Sequence, residues 1–292
     1  DSDKNILPLI GSKEGIMHIS LAFLNKGDKV LIPNPGYPSY QSITKLVGAE
    51  PIFYPLLEKN NWLPDLDALK LLVSDNVKLM WINYPNMPTG KNSNIEFFKK
   101  IYDFAVSNDI LVINDNPYSF ILNDNPLSFL SVDSSFDHCL ELNSLSKSHN
   151  MAGWRVGMVV GSKNNIDTIL RVKSNIDSGM YYAIQKGAIE ALCLDSSWYK
   201  SLNKIYRKRR EIVYKICDKL KLKYDKNSSG MFIWAKINSL DMSSMEFVDN
   251  LLYNKEIFIT PGSIFGTNGE GYVRLSLCLS QEKLKEALNK LL

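Results

Sequence analysis

Asn143-Ser144-Leu145-Ser146-Lys147-Ser148-His149-Asn150-Met151-Ala152-Gly153-Trp154-Arg155-Val156-Gly157 is the stretch on which the reading turns. It lies between His138–Leu142 and Val156–Gly161, two apolar runs with the composition of buried strands. Hydroxyls, a lysine and an arginine are thus packed in where one strand ends and the next begins. Open α/β sheets bind their ligands beyond the carboxyl ends of strands. A lysine held away from bulk water near other cations shifts towards the neutral amine, which attacks carbonyl carbons. Ser144, Ser146 and Arg155 together offer the donors that a phosphate needs. Taken alone, the same segment also reads as a polar loop with a surface lysine.

The strand pattern repeats on the N-terminal side. Lys29–Pro33, Glu50–Tyr54, Lys78–Asn83 and Ile110–Asn114 are nearly continuous in apolar residues, as expected of strands covered on both faces of a parallel sheet. Helical segments separate them: Ser12 to Leu24, Ser39 to Val47, Asp65 to Val73 with Asp65 as its cap, and Asn94 to Ser107. This alternation predicts an α/β fold in three layers, a mostly parallel central sheet between helices. After Gly161 the texture changes. Helices are expected at Asn164–Asn175, Tyr181–Cys193 and Trp198–Leu220, then strands at Met231–Ile237, Glu256–Thr260 and Gly271–Cys278, with helices at Ser243–Asn254 and Gln281–Leu292. This smaller C-terminal α+β domain is cut from the first near Tyr206, giving residues 1–205 and 206–292.

Composition narrows the function. The 292 residues are 45% hydrophobic and 22% charged, which suits a globular chain with a large core. A net charge of only +3 lacks the concentrated basic excess of a nucleic-acid binder. Mean hydropathy is −0.14, and no run approaches the roughly 18 apolar residues of a membrane span. The start, Asp1-Ser2-Asp3-Lys4, has neither the basic nor the apolar part of a signal peptide. Cys139, Cys193, Cys217 and Cys278 are scattered and the histidines are three, so neither a disulfide framework nor a metal site is expected, and a reducing cytoplasm fits.

Other strand ends carry chemistry too. Ile110–Asn114 runs into Asp115-Asn116-Pro117-Tyr118, which places a carboxylate and a phenol at a strand tip or else begins a proline turn. Gly11-Ser12-Lys13-Glu14-Gly15 opens a helix whose free N–H groups favour a phosphate, although a glycine before a capping serine is common. Asn83-Tyr84-Pro85-Asn86-Met87-Pro88-Thr89-Gly90 follows its strand with a dense set of turn formers.

The ordered set GSKEG, PNPGYPSY, NYPNMPTG, DNPY, SLSKSHNMAGWRVG and YVRLSL resembles the class I/II pyridoxal-phosphate-dependent aminotransferases of fold type I. The likeness runs from about Leu7 to the C-terminus. It implies pyridoxal 5'-phosphate carried by Lys147, with its phosphate on Ser12, Lys13, Ser144 and Arg155. Tyr37 would stack on the ring, Asp115 would pair with the ring nitrogen, Asn86 and Tyr118 would serve the ring's 3-oxygen, and Arg274 would grip the substrate α-carboxylate. An anionic Asp115 keeps the ring nitrogen protonated, so that the ring accepts electrons released at the substrate Cα. Lys147 then moves the proton, and Arg274 provides a planar fork that lysine lacks.

The resemblance also implies transamination between an α-amino acid and a 2-oxo acid in a homodimer, nearest the aspartate, alanine and LL-diaminopimelate aminotransferases. Segment 175–185 gives no clean match to the diaminopimelate-specific type. The same scaffold runs C–S lysis and decarboxylation, and it serves some regulators as a non-catalytic sensor domain. Two departures stand out. The family has a second asparagine directly before Pro-Thr-Gly, where this chain has Met87; Asn86 shifts to serve, or Tyr118 acts alone, or the site is specialised. The family's N-terminal arm, half of the small domain and a tyrosine reaching the partner subunit's phosphate have no counterpart in this sequence.

Overall fold

The computed structural model describes residues 1–238 and 242–291. The elements follow in chain order as α1 (Ser2–Asn5), β1 (Ile6–Leu9), α2 (Ser12–Phe23), β2 (Lys29–Asn34), α3 (Pro38–Leu46), β3 (Glu50–Pro55), α4 (Leu66–Lys70), β4 (Val77–Ile82), α5 (Ile95–Ser107), β5 (Leu111–Asp115), β6 (Cys139–Ser144), α6 (Leu145–Ser148) and β7 (Gly157–Val160). Then come α7 (Lys163–Lys173), α8 (Tyr182–Leu192), α9 (Ser196–Lys219), β8 (Lys223–Tyr224), β9 (Phe232–Lys236), α10 (Ser244–Lys255), β10 (Thr260–Pro261), β11 (Tyr272–Ser276) and α11 (Gln281–Asn289). The expected last helix included Leu292, which lies outside the described residues.

Seven strands form the main sheet in the order β1-β7-β6-β5-β4-β2-β3. The five from β6 to β3 are parallel, as their unbroken apolar runs foretell. β7 instead runs antiparallel to β6. The link between them is the Lys147 segment, which holds only the one-turn helix α6 and a tight turn at Ala152–Trp154 and returns the chain beside β6. β1, which the sequence pattern did not reveal, closes that edge; it is four residues long and contains Pro8, a residue at home on an edge strand.

Side chains alternate between two cores. Ile16 and Ile19 of α2 and Tyr40 of α3 pack with Trp81, Ile113 and Leu142 on one face, whereas Phe98 and Ile101 of α5 pack with Met80, Val112 and Cys139 on the other. Glu14 on α2 takes a hydrogen bond from His18 at 2.8 Å and pairs with Lys173 of α7 at 3.4 Å, which links the two helices that cover this face.

The second sheet, β10-β11-β9-β8, is antiparallel throughout. Val213, Ile216 and Cys217 of α9 bury against its Ile233, Ala235 and Val273. The expected strand Glu256–Thr260 is a correction: only Thr260–Pro261 pairs. Glu256 takes a left-handed φ of 54° to end α10, and Ile257 and Ile259 enter the core from a loop. An apolar run marks burial, and burial does not require a strand.

Candidate active site

The carboxyl ends of β2, β4, β5 and β6 converge with the start of α2 on a cavity of about 270 Å³. Ser12, Lys13, Tyr37, Asp115, Tyr118, Ser144, Lys147, Arg155 and Arg274, all named from sequence, line it. Asn86 does not. It sits buried with its Oδ1 accepting from the Thr89 hydroxyl at 2.7 Å, and Met87 takes the place on the cavity wall.

Asp115 ends β5 and is 6% exposed. The Tyr40 hydroxyl donates to its Oδ2 at 2.8 Å, while Oδ1 is buried without a partner. Burial pushes the carboxyl up to about 6, opposed by the Tyr40 hydrogen bond. An orphaned buried carboxylate oxygen is costly, and a cationic N–H donor is the group that would complete it. Tyr40 stacks flat on Trp81, with ring centroids 5.0 Å apart, so the donor is rigidly placed. Sequence reading passed over Tyr40. The PNPGYPSY motif contained it, but nothing local distinguishes it from a core tyrosine.

The anion cradle is built from backbone. Gly11 precedes α2 at φ 82° with no side-chain cap, which leaves the first-turn N–H groups of a twelve-residue helix facing the cavity. A Cβ on Gly11 would lie 2.2 Å from Arg155 Nη2, and one on Gly157 would lie 2.7 Å from the Ser12 nitrogen. The guanidinium and the helix start therefore meet across two missing side chains. Arg155 itself adopts φ 56°, and its Nη1 donates to the Ala152 carbonyl at 2.9 Å. Ser144 Oγ accepts from the Ser146 N–H at 3.1 Å, which caps α6 and holds the hydroxyl at the cavity wall.

Lys147 stands in α6, one turn beyond that cap. Its neighbours are gripped by α9. Trp198 Nε1 donates to the Ser148 carbonyl at 2.9 Å, and His149 lies between the Ser148 hydroxyl at 2.9 Å and the Tyr199 hydroxyl at 3.3 Å.

Arg274 comes from β11 of the second sheet. Its guanidinium lies over the Phe232 ring at 4.0 Å and the Phe265 ring at 4.7 Å, and Nη1 donates to Met87 Sδ at 3.3 Å. Nε is buried without a partner, and Arg274 has no carboxylate partner among the described residues. Burial lowers its pKa from the ordinary arginine value. A desolvated, unneutralised fork facing a cavity calls for an anionic ligand.

The donor set fits pyridoxal phosphate at three points of one cavity: the helix start with Arg155 would suit the phosphate, the orphaned Asp115 Oδ1 the ring nitrogen, and the Lys147 amine on the same wall the aldehyde carbon. A doubly wound sheet with this arrangement at its strand tips defines a pyridoxal-phosphate enzyme of fold type I. The chain matches the family model for aminotransferases of class I and II over residues 1–291 and belongs to that family.

It is 42% identical to the LL-diaminopimelate aminotransferase of Halothermothrix orenii, across 100% of this chain and 75% of that protein. It is 40% identical to the enzyme of the same name from Aquifex aeolicus, across 100% of this chain and 76% of that one. Among solved structures, substrate-bound BacF from Bacillus subtilis superposes with a TM-score of 0.95 at 35% identity, covering 99% of this chain and 74% of that one. A probable N-succinyldiaminopimelate aminotransferase from Thermus thermophilus superposes at 0.91 with 31% identity, covering 100% of this chain and 78% of that one. The protein is a pyridoxal-phosphate-dependent aminotransferase, moving an amino group between an amino acid and a 2-oxo acid.

Proposed function

We propose that Lys147 carries the cofactor and moves the proton, that Asp115 and Tyr118 act on the ring, that Ser12, Lys13, Ser144 and Arg155 hold the phosphate, and that Arg274 holds the substrate α-carboxylate. The observation that carries this reading is the partnerless Asp115 Oδ1, buried in the same cavity as the Lys147 amine and the open start of α2. Bound pyridoxal phosphate supplies the electron sink that lets the Cα–H bond of the amino acid break. Asp115 then holds the proton on the ring nitrogen, a contact worth most as charge develops there. Lys147 Nζ takes the proton released at Cα. Arg274 orients the carboxylate through two parallel N–H donors, and its place in the second sheet lets substrate binding draw the two sheets together and exclude water.

The amino donor we favour is a diaminopimelate-type acid, long and doubly charged at its far end. The curated relatives named above, both of them LL-diaminopimelate aminotransferases, support it. We also place the domain boundary near Tyr206 inside α9, and the protein in a reducing cytoplasm, for which its four free cysteines speak. A homodimer is supported by the outward face of α8, where Tyr182, Ile189 and Leu192 are exposed beside Tyr181 and Leu194.

A panel of amino acids with 2-oxoglutarate, read by chromatography of new amino acids, tests the donor. LL-diaminopimelate should react fastest. Turnover confined to aromatic amino acids or alanine would refute that choice. Lys147→Ala protein should lose the visible absorption of the bound cofactor; an unchanged spectrum would refute the assignment of the lysine.

A further inference from the structure

Glu141 is a carboxylate buried to 6% exposure that the chemistry above does not use. It stands on β6 directly opposite Asn114 of β5, in the register that also pairs Asp115 with Leu142. Strand alternation puts Asp115 on the cavity face, in phase with Ile113 and Leu142, and puts Glu141 on the reverse face with Cys139 and Val112. Burial raises the Glu141 pKa, and each of its hydrogen bonds opposes that rise.

Four donors converge on it. Oε2 accepts from the Phe129 N–H at 2.7 Å, the Ser128 hydroxyl at 3.0 Å and Asn114 Nδ2 at 3.3 Å, and Oε1 accepts from Asn116 Nδ2 at 3.2 Å. Asn114 and Asn116 are the two neighbours of Asp115 in the chain. Asn114 cannot simply turn its amide round, because its Oδ1 accepts from the Tyr84 N–H at 3.0 Å. Through that bond the hub reaches the loop bearing Met87, and Asn83 of the same loop donates to the Asp115 carbonyl and accepts from the Met87 N–H at 2.7 Å.

We propose that Glu141 is a positioning residue: from behind the sheet it clamps both neighbours of Asp115 and so fixes the strand tip that presents Asp115 to the cofactor's ring nitrogen. The inference rests on the reading that Asp115 makes that contact. A carboxylate suits the task because it only accepts, and all four groups aimed at it donate. An amide of the same shape turns N–H groups against N–H groups. Small displacements of a reacting geometry are expensive, about 10²-fold in rate for roughly 1 Å.

The test compares Glu141→Gln, Asn116→Ala and Asp115→Ala in the cofactor-loaded protein, reading kcat, KM, thermal stability and the visible circular dichroism of the bound cofactor. Glu141→Gln should lower kcat about tenfold or more with KM held within about twofold, and should alter the dichroism. Asn116→Ala keeps Glu141 and three of its donors, so it serves if Glu141→Gln fails to fold, and it should move the same two readouts in the same direction. Combining the two changes should cost less than the sum of their separate effects, because both act through one network.

A lower melting temperature with kcat and dichroism unchanged in Glu141→Gln, or in Asn116→Ala where the former does not fold, would reduce Glu141 to a structural residue and overturn the proposal. A crippled Asp115→Ala beside that result would leave the reading of Asp115 intact. An unaffected Asp115→Ala would overturn both.

Discussion

The Tyr40 hydroxyl donates to Asp115 Oδ2 at 2.8 Å and leaves Oδ1 alone in the active-site wall. The carboxyl, ordinarily near ~3.9, is pushed up to about 6 by burial. Between those values the folded protein binds more protons than the unfolded chain, so stability falls as pH rises. Above the upper value the charge costs on the order of 3 kcal/mol. In the cofactor-free protein, Asp115→Asn should therefore raise the melting temperature more at about pH 8 than at about pH 4. Equal gains at both would show that the carboxylate is not desolvated. In the loaded enzyme the same change should lower kcat on the order of 10² or more.

Gly11 and Arg155 make a second test. The guanidinium occupies the space of the missing Cβ, and the backbone there is left-handed. Gly11→Ala should push Arg155 aside and weaken pyridoxal phosphate binding about tenfold or more, the loss of roughly one charge-assisted contact. Equilibrium titration of the cofactor measures it. Unaltered affinity would mean that Arg155 does not hold the phosphate.

Arg274→Lys keeps the charge and loses the fork stacked between Phe232 and Phe265. We expect kcat/KM to fall by about 2 kcal/mol or more, roughly thirtyfold, with cofactor affinity preserved because no phosphate contact is touched. Steady-state kinetics with cofactor titration separates the two. Normal kcat/KM would remove Arg274 from substrate binding.

Leu192 and Ile189 lie on the outward face of α8, whose buried residues are Ala188 and Ala191. Leu192→Asp with Ile189→Asp puts charges into the proposed subunit contact, and sedimentation should shift from dimer towards monomer. Because neither side chain packs in the core, the fold should survive. A monomeric parent protein, or a dimer indifferent to both charges, would refute this face.

The sequence by itself determined the alternation of strand and helix and the chemistry at each strand end. These are local properties: the period of apolar residues, the glycine before Ser12, and the spacing of Lys147 and Arg155 within one segment. Bringing those ends together follows from parallel strands, which place successive carboxyl ends on one side. What the sequence left open depends on which residues meet across long stretches of chain. Tyr40 meets Asp115 across 75 residues, and Arg274 meets the Met87 sulfur across 187. The four donors on Glu141 converge only because β5 and β6 are neighbours in register. Asn86 and Met87 show the same limit at single-residue scale: both belong to one turn-forming motif, and the path of the backbone through that turn decides that the thioether, and not the amide, faces the cavity. Local pattern fixes what a segment can offer. Pairing of strands, and the packing that follows from it, fixes to whom the offer is made.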